Sequence, residues 1–529
     1  KENRFYVDKT EFIREWWESG DSITLIMRPR RFGKTLNMDM LKCFFSNQYA
    51  DREDLFEGLT IWKDEKYRSI QGTYPVIYLS FADVKQTNYK DAVLKIKKII
   101  TDVYQQYIEL AGWEGLTEVQ VRQFQSVDPY MDDVTAQCAL QDLAHYLYRY
   151  YEKKVIILLD EFDTPMQEAY IHGYWNEFTA FIRSLFNAAF KTNPYLNRAM
   201  MTGITRVSKE SIFSDLNNLE VVTTTSEKYS SSFGFTEEEV ASLCEKYKMD
   251  GEEVKCWYDG YSFDKVPAVY SPRSVVSCMR FGKIGNYWNQ TETFEALKIY
   301  IDMNFDGLRE DVLSMMAGES VPVNTGSFIN DMATFRTEDD VLTLLIHLGY
   351  LAYDYENKTV RIPNNEIRGE YVNSVAVSEW GEVSTALKNS ADTLNAIWQK
   401  RPLQVAEGIR QAHFETAHIQ YNDENALSYT ISLALYAARN FYTVHRELAG
   451  GKGFADLVFV PRKKFQEKPA LIVELKWDKS VRGAIEQIRQ KEYFESLKEY
   501  QGNMLLVGIN YNIRTKDHEC VIEELKKDK

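Results

Sequence analysis

The passage Ser22–Thr35 constrains this chain more than any other. An apolar run, SITLIM, gives way to RPRRFGKT at 28–35. LNMDMLKCFF then places Leu36, Met40, Leu41 and Phe44 at helical spacing. Strand, loop and helix in that order are the context in which a GKT is a phosphate-binding loop. Backbone N–H groups at a helix N-terminus cradle phosphates, a lysine reaches the β and γ phosphates, and a hydroxyl serves Mg2+. Arg30, Arg31, Phe32 and Gly33 are expected to face the phosphates of a nucleotide, Lys34 to reach across them, and Thr35 to hold Mg2+. Arg28 stands where the first glycine of GxxxxGK[ST] belongs, which leaves the turn geometry open.

Three further apolar runs follow: YPVIYLSF at 74–81, VIILL at 155–159 and AMMTGIT at 199–205. Near-continuous apolar strands alternating with helical stretches predict a parallel sheet covered on both faces. VIILLDEFD ends in acids, and a buried strand ending so places carboxylates at the carboxyl edge of the sheet. Asp160 is expected to hold Mg2+ through water and Glu161 to polarise an attacking water, because phosphoryl transfer asks for positioning and charge neutralisation. Acids also cap buried strands with no further role, so this signal gains its weight from the loop beside it. Thr202 is a candidate γ-phosphate sensor and Arg206 a candidate phosphate contact.

From about Ser230 the pattern changes to shorter helices. TEEEVASLCEKY carries Thr236 and Glu239 at capping-box spacing. DDVLTLLIHLGYLAYDYENKTVRIPN predicts a helix ending at Gly349 and two strands flanking Glu356–Asn357, a winged-helix-like arrangement. Beyond about 381, helices run to Ala438, and strands FADLVFV, ALIVELK and NMLLVGINY follow with a helix between the last two. The expected domains are 1–230, a phosphate-loop domain; 231–380, a helical, winged-helix-like lid and linker; and 381–529, a mixed-sheet α/β domain.

GGKGFADLVFV and LIVELKWD carry a second constellation. Side chains alternate along a strand, so Glu474 and Lys476 share a face, and Asp456 on the neighbouring strand can reach them. Two carboxylates suit a hard divalent cation and the ammonium suits a scissile phosphate. This is a D…ExK arrangement. ALIV before Glu474 is too apolar for an exposed edge, so charges at its end are costly unless they line a cleft.

Composition sets the outer limits. The 529 residues imply three or four domains, and 44% hydrophobic with 27% charged residues excludes disordered and collagenous chains. Lys plus Arg (63) less Asp plus Glu (78) gives −15, which argues against a protein coated in nucleic acid along its length. From His445 to Tyr500, however, 12 Lys and Arg face 9 Asp and Glu, a local excess that favours a polyanionic substrate. Six scattered cysteines give no zinc spacing or disulfide framework, so a cytoplasmic location is expected. No apolar run is long enough for a membrane span, the first residues are not a signal peptide, and a chain starting at Lys1 is expected to be trimmed.

RFYVDKTEFI, RPRRFGKT, PVIYLSF, LLDEFDTP, MTGITRVSKESIFSDLNNL, WYDGYSF and VYSPRSVV resemble the AAA-ATPase-like proteins of gut bacteria, in which the phosphate loop usually begins with Arg. The resemblance implies slow or switch-like use of ATP, and a homo-oligomer whose sites are completed by a neighbour's arginine, with Arg206 as candidate. ENALSYTISLALY, HRELAGGKGFADLVFVP, ALIVELKWD, AIEQIRQKEYF and LLVGINY resemble the PD-(D/E)xK nuclease domain fused behind such modules. That resemblance implies Asp456 and Glu474 as metal ligands, Lys476 as the catalytic lysine, Gln487 in support, and Glu424 as an acid from the first helix; Glu447 is a further candidate. Tyr287–Trp288 and IPNNEI (362–367) are family-like fragments of the middle region.

The expected function is an ATP-binding regulator fused to a Mg2+-dependent nuclease acting on DNA, or on RNA. The alternative is an ATP-dependent switch whose nuclease-like domain binds nucleic acid or a partner without cleaving.

Overall fold

The structure is a computed structural model describing residues 6–525 except 205–212, 214–215, 217, 225, 264–265, 289–294, 304, 327–334, 379, 416–423, 451–452, 494–496, 498–499 and 501. The chain forms two compact units, residues 1–291 with 322–367, and residues 292–321 with 368–529.

The first unit is built on five parallel strands: β1 (Ile23–Met27), β2 (Val76–Ser80), β3 (Val155–Asp160), β4 (Leu196–Gly203) and β5 (Leu219–Val222), in the order β2-β3-β4-β1-β5. Every residue of β1 and of β3 is buried, as apolar runs sealed by helices on both faces require. One face packs against the helices Tyr89–Gln105, Asp133–Tyr151 and Trp175–Phe186 through Ile96, Leu143 and Ile182. The other packs against Glu11–Ser19 and Lys34–Phe45 through Trp16, Leu41 and Phe44. The strand β4 lies between β1, which feeds the phosphate loop, and β3, which ends in Asp160. Ligands bind beyond the carboxyl ends of such strands, and both loops lie there.

The remainder of this unit bears out the local signals. Thr236 and Glu239 form a reciprocal capping box on the helix Glu237–Tyr247. The helix Glu338–Leu348 stops at Gly349, and strands Ala352–Asp354 and Thr359–Arg361 pair antiparallel after it.

The second unit holds a mixed sheet: β6 (Tyr442–Gly450), β7 (Gly453–Pro461), β8 (Ala470–Trp477), β9 (Met504–Asn512) and β10 (Asp517–Leu525), side by side in chain order. Only β8 and β9 run parallel, joined through the helix Val481–Gln490. The helices Gly381–Trp398, Pro402–Glu415 and Glu424–Ala434 cover one face over Leu457, Val473, Leu475 and Ile509. The helix Val481–Gln490 covers the other over Val458, Ile472 and Leu506. The outer strands β6 and β10 went unread in the sequence because HRE and EEL interrupt their apolar character.

Candidate functional sites

In the first unit, the loop after β1 makes the missing glycine intelligible. Arg28 is fully buried, and its guanidinium donates to the carbonyls of Thr223 at 2.7 Å and Lys228 at 3.0 Å while lying 4.3 Å from the Phe263 ring centroid. Arg28 therefore fastens the segment after β5 to the start of the loop. Arg31 also turns away from the helix N-terminus: its guanidinium stacks over Trp288 and donates to the Trp288 carbonyl. The Phe32 ring is buried against Tyr261 and Phe263, so only its main chain remains on the loop. Gly33 has φ of 85°, a conformation that strains any residue with a Cβ, and directly precedes the helix Lys34–Phe45.

Lys34 donates to the carbonyls of Arg28 at 2.7 Å and Pro29 at 2.9 Å. Burial draws its ammonium down to about 8, against the pull of Asp163, Glu161 and Asp160, with Arg30 adding to the fall. The loop lysine and the acids after β3 thus share one field. Arg30 adds its positive charge to this field. Thr35 is exposed at the first turn of its helix.

Asp160 is 1% exposed and accepts from the Thr202 hydroxyl, which itself accepts from the Glu161 N–H at 3.1 Å. Glu161 has φ of 52°, and its carboxylate accepts from Thr164 at 3.1 Å. Thr202 therefore binds the end of β4 to both acids. Asp163 was missed in the sequence: it is fully buried, accepts from the Ile204 N–H at 2.8 Å, and heads the acids acting on Lys34. The DEFD motif, which puts a second aspartate just past the turn that follows Asp160, was the available signal. Arg206 lies outside the described residues.

In the second unit, Glu474 and Lys476 meet as the strand period predicts. Lys476 donates to Glu474 Oε1 at 2.8 Å, and Gln487 donates to the same oxygen from the helix Val481–Gln490. Asp456 lies alongside, its Oδ2 accepting from the Leu475 N–H at 2.6 Å. Glu474 is 1% and Lys476 9% exposed, so a polar cluster has been built into an apolar sheet. The helix reaches this close because Gly508, paired with Glu474 on β9, has no side chain: a Cβ there would lie 2.8 Å from the Val481 carbonyl oxygen.

Tyr493 is a further member that sequence reading left out. Its hydroxyl accepts from Gln487 at 3.2 Å, and burial, with the charges of Glu474 and Asp456 beside it, pushes the phenol upward. Glu424 begins the helix Glu424–Ala434, and its side chain, like that of Glu447, lies outside the described residues.

Neither site holds a cluster of three or more metal-ligating His, Cys, Asp or Glu side chains among the described residues. Asp456 and Glu474 offer two carboxylates, and Thr35 and Asp160 one hydroxyl and one carboxylate, which are donor types that Mg2+ takes. That ion keeps several waters and takes one or two carboxylates with phosphate oxygens.

Residues 1–213 match the family described as "Predicted AAA-ATPase", and residues 424–521 match the PD-(D/E)XK nuclease superfamily. The chain carries an AAA-ATPase domain and a nuclease-superfamily domain. A protein of Azotobacter chroococcum mcd 1, described as an uncharacterized protein in the vnfD 5' region, is 28% identical over 292 residues, 55% of this chain and 51% of that one. The chain thus spans about half the length of the curated relative it matches. Among solved structures, the ORC2 protein of Aeropyrum pernix in ADPNP-ADP complexes aligns at 13% identity over 71% of this chain and 96% of that chain, with a TM-score of 0.35. CDC6P of Pyrobaculum aerophilum aligns at 10% identity over 69% and 92%, with a TM-score of 0.25. The fold of the AAA-ATPase domain rests on strand order and register, not on those two likenesses. No helix among the described residues is long and apolar enough to cross a membrane.

Proposed function

We propose that this chain binds ATP in its AAA-ATPase domain and uses that nucleotide to control a Mg2+-dependent phosphodiesterase, seated in its nuclease-superfamily domain, that cleaves DNA or RNA. The observation that carries the reading is the convergence of Asp456, Glu474, Lys476 and Gln487 on one spot with Glu474 sealed from water. A buried carboxylate held by two donors has little to offer packing, whereas it suits a site for a cation and a phosphate.

Asp456 and Glu474 are the residues to hold the cation. Bound there, Mg2+ would supply charge neutralisation at the scissile phosphate and lower the cost of ionising water. Gln487 fixes which way the Glu474 carboxylate faces. Lys476, already within 2.8 Å of Glu474, brings a positive charge for the phosphate or leaving oxygen. Attack in line with the leaving oxygen then needs positioning more than covalent help from the protein.

In the AAA-ATPase domain, Lys34 is to leave the carbonyls of Arg28 and Pro29 for the β and γ phosphates, with Arg30 beside it. Thr35 and Asp160 serve Mg2+, Glu161 orients water, and Thr202 senses the γ-phosphate through its bonds to both acids. Arg206 is assigned to a neighbouring copy's phosphate in a homo-oligomer.

The net charge of −15 favours one other reading, an ATP-dependent switch whose nuclease-superfamily domain binds nucleic acid or a partner without cutting. Incubating the protein with linear, circular and single-stranded DNA and with RNA, in Mg2+ or Mn2+ and with or without ATP, separates them. Cleavage abolished in E474A supports the enzyme; nucleic-acid binding without cleavage under every condition supports the switch.

A further inference from the structure

The phosphate loop is gripped from outside by residues that phosphate chemistry does not call for. Arg31 has φ of 70°, a left-handed conformation uncommon in residues with side chains. Its guanidinium lies 4.6 Å from the Trp288 ring centroid and donates to the Trp288 carbonyl. One residue thus meets both faces of the interaction, ring and main chain, and the turn of the loop is fixed through it.

Trp288 is itself pinned. It is 1% exposed, and its N–H donates to Glu366 Oε1 and to Asn286 Oδ1, each at 3.0 Å. The Tyr287 N–H donates to the same Glu366 oxygen at 2.7 Å, and the Ser274 hydroxyl to the other at 2.7 Å. Glu366 is 1% exposed, and the charge of Arg31 acts on it. Gly349 lets the segments close: a Cβ there would come 3.0 Å from Pro29 Cβ and 3.1 Å from the Trp288 ring. Glu366 is the second residue of the helix Asn365–Val377, whose residues from Arg368 onward belong to the second unit.

We propose that Trp288, pinned by Glu366, is a positioning residue of the nucleotide site: it holds Arg31 and with it the turn of the phosphate loop, and it transmits phosphate occupancy of that loop to the helix Asn365–Val377. The inference rests on the ATP-binding reading of RPRRFGKT and names how that site reaches the rest of the chain. A loop shaped before its ligand arrives binds more tightly than one that must be ordered. Whatever tightens the loop also steadies Trp288, Glu366 and the first turn of their helix, and this coupling is reciprocal.

The test is a double-mutant cycle on MgATP affinity by calorimetry in the full chain, with hydrogen exchange read over residues 365–377. R31A and W288A are each expected to weaken MgATP by about tenfold, and R31A/W288A by no more than either alone, because both remove one shared interaction. E366Q, which keeps an oxygen for the two N–H donors, is expected to stay within about threefold of wild type, whereas E366L falls with W288A. Saturating MgATP should slow exchange over 365–377 in wild type and not in W288A. Circular dichroism melting checks folding, and W288F takes the place of W288A in the cycle if W288A does not fold.

Additive losses from R31A and W288A, or exchange over 365–377 indifferent to MgATP in wild type, would overturn the inference while leaving ATP binding intact. Wild type that binds no MgATP removes the reading of the phosphate loop, and this inference with it.

Discussion

Lys476 and Glu474, two residues apart on one strand, form a 2.8 Å ion pair that is almost sealed from water. Breaking such a pair from one side leaves a buried charge without its partner, at about 3 kcal/mol or more. E474A should therefore lose stability by roughly that amount in urea unfolding, while E474Q, which retains an oxygen for Lys476, should lose about half as much. Equal stability of E474A and wild type would mean that the pair is exposed in solution.

Restoring the glycine of GxxxxGK[ST] should harm this protein. R28G removes donors to the carbonyls of Thr223 and Lys228 and the stacking over Phe263. The expected cost is about 2–4 kcal/mol, with a fall in ATP affinity as the segment after β5 comes away. Calorimetric melting and ATP titration of R28G measure both, and a variant at least as stable and as tight as wild type would count against a bracing role for Arg28.

Gly508 is expected to be irreplaceable for a steric reason. In G508A the new methyl meets the Val481 carbonyl at 2.8 Å, and main chain cannot yield as a flexible side chain does. Pushing back the helix Val481–Gln490 should cost about 1–3 kcal/mol and draw Gln487 away from Glu474. Cleavage should then fall more steeply than stability. A G508A protein with wild-type cleavage and stability would show that the helix has room to shift.

Much of this was legible in the sequence because the signals are local. RPRRFGKT, DEFD and ELK are each read within one strand and its loop, where the period of a strand decides which side chains meet. What was not legible depends on residues far apart. Nothing near Arg28 announces that its guanidinium will reach carbonyls about two hundred residues on, and Glu366 looks like a surface acid until Tyr287 and Trp288 donate to it. Tyr287–Trp288 and IPNNEI stood out as fragments, but their meeting is a product of packing. Tyr493 was passed over because its role arises only where the helix end brings its phenol to Gln487.

Two buried groups give opposite pH dependences. Burial, with His413 and Arg410 nearby, lowers His518 from 6.5 to about 3. The native state therefore binds fewer protons than the unfolded one between those values. Its contribution is present above about pH 6.5 and lost as pH falls toward 3. Burial raises Glu366 from 4.5 to about 7, outweighing its hydrogen bonds from Ser274, Tyr287 and Trp288. Its contribution is present below about pH 4.5 and lost as pH rises through 7. Urea unfolding against pH should show H518F flattening the acid limb and E366Q flattening the limb between pH 4.5 and 7. Unchanged slopes in both variants would refute the assignments.

Whether ATP governs the nuclease site is read from cleavage of a labelled DNA by the full chain in Mg2+, with and without ATP, beside E474A and K34A. Control of the nuclease site by ATP requires cleavage in wild type that ATP alters, none in E474A, and cleavage in K34A that no longer responds to ATP. ATP bound through Lys34 with no cleavage of DNA or RNA in Mg2+ or Mn2+ would contradict it.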